Sequence, residues 1–116
     1  KERCYYHDMA SDKDGFVTAG LVNKNMPDGE PFGFYVKYNI NQLPFFTQWK
    51  MNGMREYVVG MEPANCHVQG RANERERGTL QFLEIGETRR YKIEIGVLAN
   101  ASDVAAFEET VRSLTL

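Results

Sequence analysis

The sequence predicts an all-β fold, an antiparallel β-sandwich with a short C-terminal helix. Several short runs alternate apolar and polar residues with a period of two, which is typical of half-buried strands. Clusters of Gly, Pro, Asn and Asp separate these runs, as turns do. No strand-like run is followed by a helix-length periodic segment until the end of the chain. Parallel βαβ units, which need such crossover helices, are therefore disfavoured.

Two runs carry the clearest strand pattern. Between Phe32 and Ile40 the even-numbered residues are apolar or aromatic and form one face, and the stretch from Tyr91 to Val97 repeats the pattern. Turn segments follow the run that ends at Asn23, precede Phe45, follow Glu62 and precede the run that starts at Tyr91. Shorter runs of the same type predict four further strands, over Cys4–Met9, Phe16–Asn23, Glu56–Glu62 and Gly78–Leu83.

The end of the chain has a different period. Apolar residues recur at helical spacing after Ser102, which is a candidate N-cap. This spacing predicts a short amphipathic helix packed on a sheet, with an apolar side formed by Val104, Phe107, Val111 and Leu114.

Length and charge limit the classes of partner. The 116 residues suit one domain, residues 1–116. With 14 basic and 16 acidic residues the net charge is -2, which gives no electrostatic reason to expect nucleic acid or an anionic membrane as a partner. Apolar runs are too short to cross a bilayer. Because the chain starts directly in strand-like sequence at Lys1, we expect it to be a fragment of a longer protein.

The two cysteines give no sign of a metal centre or a disulfide framework. Cys4 and Cys66 lie far apart, without a CxxC spacing, and predict reduced thiols in a cytoplasmic protein. Glu62 and His67 lie five residues apart, but two candidate ligands without a third are weak grounds for a metal. We predict neither metal nor cofactor.

The segment GMEPANCHVQGRANERERG, residues 60–78, carries the strongest functional signal. Glu62 ends a predicted strand, and Pro63 holds it in extended backbone, which fixes where the carboxylate leaves the sheet. Gly60 lies on the same face two residues earlier and leaves space that a ligand could occupy. A carboxylate held in this way can act as a general base, although a glutamate at a strand end is also a common solvated turn residue.

The chain resembles the C-terminal part of the galactose mutarotase-like superfamily, in particular an uncharacterised branch of aldose 1-epimerase-like proteins. The resemblance runs from about Tyr5 to Val97 and is carried by ordered short motifs, which are Glu62-Pro63, Gly70-Arg71, Glu74-Arg75 and Leu83-Glu84-Ile85-Gly86-Glu87. It implies that the domain is part of a mutarotase-like supersandwich that binds a monosaccharide. It also implies that Glu62 takes the proton from the anomeric hydroxyl, whereas the family's acid is a histidine much earlier in the chain.

Other polar and aromatic residues form the candidate sugar-binding set. Trp49 can stack on the apolar face of a sugar or belong to the core, and Arg71 can donate a forked pair of hydrogen bonds. The charged residues Arg71, Glu74, Arg75 and Arg77 either brace the loop after Glu62 or are simply solvated. With Glu62 as the catalytic candidate, the predicted substrate-binding residues are His7, Asp8, Trp49, Lys50, Asn65, His67 and Arg71.

Three functions remain open from the sequence. The first is an aldose 1-epimerase-like domain that interconverts sugar anomers in the complete protein. The second is a sugar-binding β-sandwich without catalysis, and the third is a structural or oligomerisation fragment. The expected partners are a monosaccharide or sugar derivative, and either a second copy of the chain or the missing N-terminal portion, which would cover exposed strand edges.

Overall fold

The computed structural model describes residues 1–114, which form six strands and two helices. None of the helices in this part of the chain is long and apolar enough to span a membrane. The chain is divided into two compact units. The first is formed by Lys1–Met9 with Asn41–Tyr91, and the second by Ala10–Ile40 with the residues from Lys92 onward. The elements are β1 (Glu2–His7), β2 (Phe16–Asn23), β3 (Phe32–Asn39), β4 (Phe45–Gly53), β5 (Glu56–Ala64), α1 (Arg71–Arg77), β6 (Ile93–Leu98) and α2 (Ala101–Ser113).

The first unit contains an antiparallel sheet in the order β1-β4-β5. Strands β4 and β5 form a hairpin whose two-residue turn is Met54-Arg55, and Arg55 takes a left-handed backbone with φ of 66°. Across the three strands Tyr6 pairs with Thr47, and Thr47 pairs with Glu62. Directly paired residues point to the same face, so this register decides which candidate residues can share a site.

The predicted strand over residues 78–83 is wrong, because this segment follows helix α1 and has no ladder partner. Gly78 ends α1 in a left-handed conformation, and the next two N–H groups donate back to the Glu74 carbonyl. Further along, the Arg89 guanidinium donates to the Phe82 carbonyl at 2.5 Å and to the Gln81 side chain at 2.8 Å. These local hydrogen bonds occupy backbone N–H and carbonyl groups that a strand would use to pair with a neighbouring strand.

The second unit contains an antiparallel sheet in the order β2-β3-β6. The alternation predicted from the sequence is confirmed, since Val36 pairs with Ile95 and Tyr38 pairs with Ile93 on one apolar face. Val17, Val36 and Tyr38 are buried on this face. Burial of its phenol raises the pKa of Tyr38 to about 12. Six large apolar side chains of the same face are exposed, namely Leu21, Phe32, Phe34, Ile93, Ile95 and Val97.

Helix α2 packs on the opposite face of this second sheet, as predicted, with Val104 buried. The Phe107 ring lies directly over Gly20, where any Cβ would overlap it, and stacks with Tyr35 at 6.5 Å between ring centres. The predicted N-cap is corrected from Ser102 to Asn100, whose side chain accepts the Asp103 N–H at 2.9 Å. Asparagine is as good an N-cap as serine, and the helix begins two residues earlier than its apolar pattern indicates.

The predicted all-β antiparallel class with a short C-terminal helix is confirmed. Two separate sheets are present, as a sandwich requires, and β2 has the predicted bounds. Strand β5 extends two residues beyond the predicted Glu62 to Ala64, so Glu62 lies inside the ladder and pairs with Thr47. The only helix absent from the sequence prediction is α1, among the residues that the structure describes.

Candidate functional site

One face of the first sheet brings together the polar and aromatic residues nearest to Glu62. We call it the Glu62 face. Its central row crosses three strands, from Tyr6 on β1 through Thr47 on β4 to Glu62 on β5. The adjacent row contains Trp49, which pairs with Gly60 on β5 and with Cys4 on β1. Two aromatic rings, a hydroxyl and a carboxylate therefore occupy neighbouring positions on a rigid sheet.

The carboxylate of Glu62 folds back over Gly60. A Cβ built on Gly60 would overlap Glu62 Oε1, with Cδ at 3.2 Å and Cγ at 3.4 Å. The space that the sequence analysis left for a ligand is thus occupied by the carboxylate itself. Because Gly60 pairs with Trp49, this position sets the carboxylate across from the indole side chain on the neighbouring strand. Both Glu62 and Trp49 are half-buried.

Thr47 lies at the centre of the Glu62 face with its side chain buried and 1% of its surface exposed. Its hydroxyl oxygen has no hydrogen-bond partner among the described residues. A buried hydroxyl without a partner is destabilising, and a functional role is one of the explanations for such a group in a native protein. Thr47 pairs with both Tyr6 and Glu62, so its hydroxyl belongs to the same row as the carboxylate.

His67 covers one end of the Glu62 face. Its imidazole contacts the Tyr6 ring edge-on, with centroids 4.5 Å apart, and lies tilted against the Phe45 ring at 4.4 Å. The side chain is 21% exposed. His67 follows β5 in the loop that leads to α1, so the chain turns back over the sheet after Ala64, the last residue of β5.

The buried Glu74 on helix α1 binds this loop through the backbone N–H of His67. Glu74 on α1 is 2% exposed, and its carboxylate accepts hydrogen bonds from the Thr79 hydroxyl at 2.6 Å, the His67 backbone N–H at 3.1 Å and the Arg77 guanidinium at 3.2 Å. The bond from Thr79 contributes most to holding the pKa of Glu74 below its ordinary value, and the bond from His67 and the charge of Arg77 act in the same direction against the effect of burial. Glu74 therefore ties together the loop, the helix and the segment after it.

Two predicted binding residues lie on the opposite face of the sheet. His7 pairs with Phe46, and its Nε2 lies 3.1 Å from the Gln48 side-chain oxygen. Lys50 pairs with Arg3, and both line a cavity of about 360 Å³ together with Lys1, Tyr5 and Asn52. These residues cannot touch a ligand bound flat on the Glu62 face, because successive side chains of a strand point to opposite faces.

The remaining predicted residues lie in connecting segments. Asp8 is exposed directly after β1, and Asn65 is half-buried directly after β5. Arg71 begins α1 and is exposed, and within residues 1–114 it forms no hydrogen bond or ion pair. Of the predicted charge network only Arg77 pairs with Glu74. No group of three or more His, Cys, Asp or Glu side chains in the described chain is arranged to hold a metal, and both cysteines are free and exposed.

Tyr6 and Thr47 belong to the site but are not predicted from the sequence, and neither is the burial of Glu74. The positions of Tyr6 and Thr47 depend on strand register, because only strand pairing places Thr47 beside Glu62 and Tyr6 beside Thr47. A signal for Glu74 is present in the sequence: Glu74 and Arg77 are three residues apart, as helical neighbours are, and a glycine follows at residue 78.

The second unit has a cavity of its own, between α2 and the sheet. Its volume is about 400 Å³, and Tyr35, Lys37, Glu94 and Phe107 contribute to its lining. The Tyr35 hydroxyl donates to Glu94 at 2.6 Å, and this bond raises the pKa of Tyr35. None of the predicted site residues lines this cavity.

Comparison with known proteins identifies a family and nothing narrower. No curated protein and no solved structure matches the chain. The sequence model that does match covers residues 1–97, which include both sheets up to the penultimate residue of β6 and leave out α2. The chain belongs to the family described as a domain of unknown function, DUF4432.

Proposed function

We propose that this chain is the carbohydrate-binding, aldose 1-epimerase-like part of a protein that interconverts sugar anomers. The observation that carries the proposal is the position of the Glu62 carboxylate, which lies over Gly60 and across from Trp49 on one sheet face. The sequence resemblance to aldose 1-epimerase-like proteins supports the same assignment. The proposed substrate is a monosaccharide or a sugar derivative.

The Glu62 face has the chemical groups that recognise an uncharged ring with several hydroxyls. Aromatic side chains such as Trp49 and Tyr6 offer apolar surface to the C–H face of a sugar. A carboxylate accepts hydrogen bonds from sugar hydroxyls, and the buried hydroxyl of Thr47 can donate or accept one. Binding sites of this kind combine apolar walls with a few directed polar groups.

In the proposed reaction Glu62 acts as the general base. Its carboxylate takes the proton of the anomeric hydroxyl, the electron pair of that O–H bond forms the carbonyl, and the bond from C1 to the ring oxygen breaks. The ring oxygen gains a proton from an acid, which the resemblance assigns to an earlier histidine of the complete protein. Rotation about the bond between C1 and C2 and reclosure, with the proton transfers reversed, give the other anomer.

The proposal places the protein in the cytoplasm, consistent with its two free thiols. Either a second copy of the chain or the remaining portion of the protein would complete the exposed apolar face of the second sheet. Six exposed apolar side chains on that face support a partner there.

Anomer exchange tests the proposal directly. We expect the complete protein to accelerate mutarotation of at least one aldose in a panel followed by polarimetry or NMR, and Glu62→Gln to lower that rate by roughly 10²-fold or more. Glu87→Gln is the matched control, because Glu87 braces a turn by accepting the Glu84 N–H at 2.7 Å. A Glu62→Gln rate within about twofold of the parent rate would refute the role of Glu62 as base.

Binding without catalysis is the alternative outcome. If an aldose binds and Glu62→Gln weakens that binding, while no aldose is turned over, the face is a sugar-binding surface and Glu62 is a hydroxyl acceptor. Calorimetry on the parent and on Glu62→Gln separates the two functions, because a base removed from an enzyme affects turnover more than affinity.

A further inference from the structure

The ion pair of buried Glu74 and exposed Arg77 has no role in the proposed chemistry of Glu62, yet it contacts the one histidine beside the Glu62 face. Arg77 Nη1 lies 2.9 Å from His67 Nδ1 and 3.2 Å from Glu74 Oε1. The Glu74 carboxylate is held by three donors and nearly fully buried. It thereby fixes the guanidinium that touches the imidazole.

The contact with Arg77 determines the tautomer of His67. His67 Nδ1 lies 2.9 Å from Arg77 Nη1 but 3.7 Å from Glu74 Oε1, which is beyond hydrogen-bond distance. A guanidinium has only donors, so Nδ1 accepts with its lone pair. The ring is then neutral, and its one proton is on Nε2. Since Nδ1 and Nε2 lie on either side of Cε1, the N–H points away from Arg77. No acceptor within residues 1–114 pairs with Nε2.

The ring contacts fix the position of this donor. His67 is held between Tyr6 and Phe45, and both belong to the Glu62 face. Tyr6 shares a row with Thr47 and Glu62, so the imidazole borders the row that ends in the carboxylate. A hydrogen-bond donor and an acceptor thus lie on the same face of one sheet.

We infer that Glu74 and Arg77 are positioning residues that hold His67 as a neutral Nε2–H donor at the border of the Glu62 face. This donor binds an oxygen of the sugar while Glu62 accepts from a hydroxyl. The inference rests on the proposed function. It assigns His67 to binding and orientation and leaves its proton in place, so His67 differs from the earlier histidine that the resemblance assigns as the acid.

The tautomer is testable without any ligand. The chain holds two histidines, so long-range ¹H–¹⁵N NMR of histidine-labelled protein gives two imidazole patterns, and His7→Gln identifies the pattern of His67. We expect the Nε2–H tautomer at neutral pH in the parent and its loss in Arg77→Met. Arg75→Met is the control, because Arg75 is exposed on the same helix. A Nδ1–H or doubly protonated His67 in the parent, or an unchanged tautomer in Arg77→Met, would overturn the positioning role.

A sugar titration tests the donor role. With an aldose that the parent binds, we expect the His67 Nε2 resonance to move at saturation, and Arg77→Met to weaken binding by about tenfold, the loss of one hydrogen bond. Arg75→Met should bind as the parent does. An unmoved Nε2 resonance at saturation would overturn the donor role. Failure of every aldose to bind the parent would instead reject the proposed function, while the tautomer measurement would still decide the positioning role.

Discussion

Replacing Gly60 with alanine moves the Glu62 carboxylate without removing it. The new methyl group would overlap Glu62 Oε1 and lie 3.2 Å from Cδ, inside the separation of about 3.5 Å at which carbon atoms settle. Only the end of a flexible side chain obstructs it, so the backbone can stay in place while the carboxylate moves away from the strand.

The size of the effect follows from that displacement. The carboxylate must shift by on the order of 1 Å, and a misplacement of that size costs a catalytic group about 10² in rate. Stability should change in the opposite direction, because alanine in a strand interior is more favourable than glycine by roughly 0.5–1 kcal/mol. Gly60→Ala should therefore be folded, at least as stable as the parent, and about 100-fold slower.

The measurement combines mutarotation kinetics of the complete protein with thermal or urea unfolding of the same samples. Gly53→Ala is the matched control, since it changes the same residue type in the same hairpin and its new Cβ meets nothing closer than 3.6 Å. It should keep the parent rate. A Gly60→Ala rate equal to that of Gly53→Ala would refute the reasoning, because the position of the carboxylate would then not matter.

Three further outcomes are expected. Thr47→Val removes a buried hydroxyl without a partner in the described chain and should raise the free energy of unfolding by about 1 kcal/mol while weakening sugar binding; a loss of stability in urea unfolding would contradict this. The pKa of Glu74 lies below its ordinary value of 4.5, so the stability from its carboxylate is present above pH 4.5 and lost as the pH falls through the lowered pKa. Glu74→Gln should therefore be less stable than the parent at neutral pH but lose less stability on acidification, whereas Glu76→Gln, exposed on the same helix, should follow the parent in acid titrations of unfolding. Finally, Ile95 is 76% exposed on the apolar face of the second sheet, and the net charge of -2 opposes association only weakly. The parent should therefore self-associate in sedimentation experiments, and Ile95→Lys should reduce the self-association. A parent that stays monomeric at high concentration would refute association through this face.

Strand periodicity was enough to predict five of the six strands that the structure describes, but not β4, the central strand of the first sheet. The alternation around Val36 and Ile95 identified two strands and the face that they share, because burial of one side of a sheet imposes a period of two. The same signal failed for residues 78–83, where Thr79 and Leu80 bond to the Glu74 carbonyl and no neighbouring strand is present. Period alone does not reveal whether a ladder partner exists.

The site was predictable only where residues close in the sequence determine the geometry of a side chain. Pro63 and Gly60 mark Glu62 from the sequence, and the structure places its carboxylate against Gly60. The grouping of His7 and Lys50 with Glu62 depends on register, and pairing places both on the opposite face. Their sequence distance from Glu62 contains no information about which face they share, because a shift of one residue reverses every side chain of a strand.

The fluorescence of Trp49 during an aldose titration tests most directly whether a sugar binds at the Glu62 face. Trp49 is the only tryptophan of the chain, and it lies across from the Gly60 position that the Glu62 carboxylate covers. We expect a saturable change in its emission, with the same midpoint as calorimetric binding, for an aldose that the protein turns over. Calorimetric binding of that aldose with no change in Trp49 emission at saturation would show that the sugar binds elsewhere.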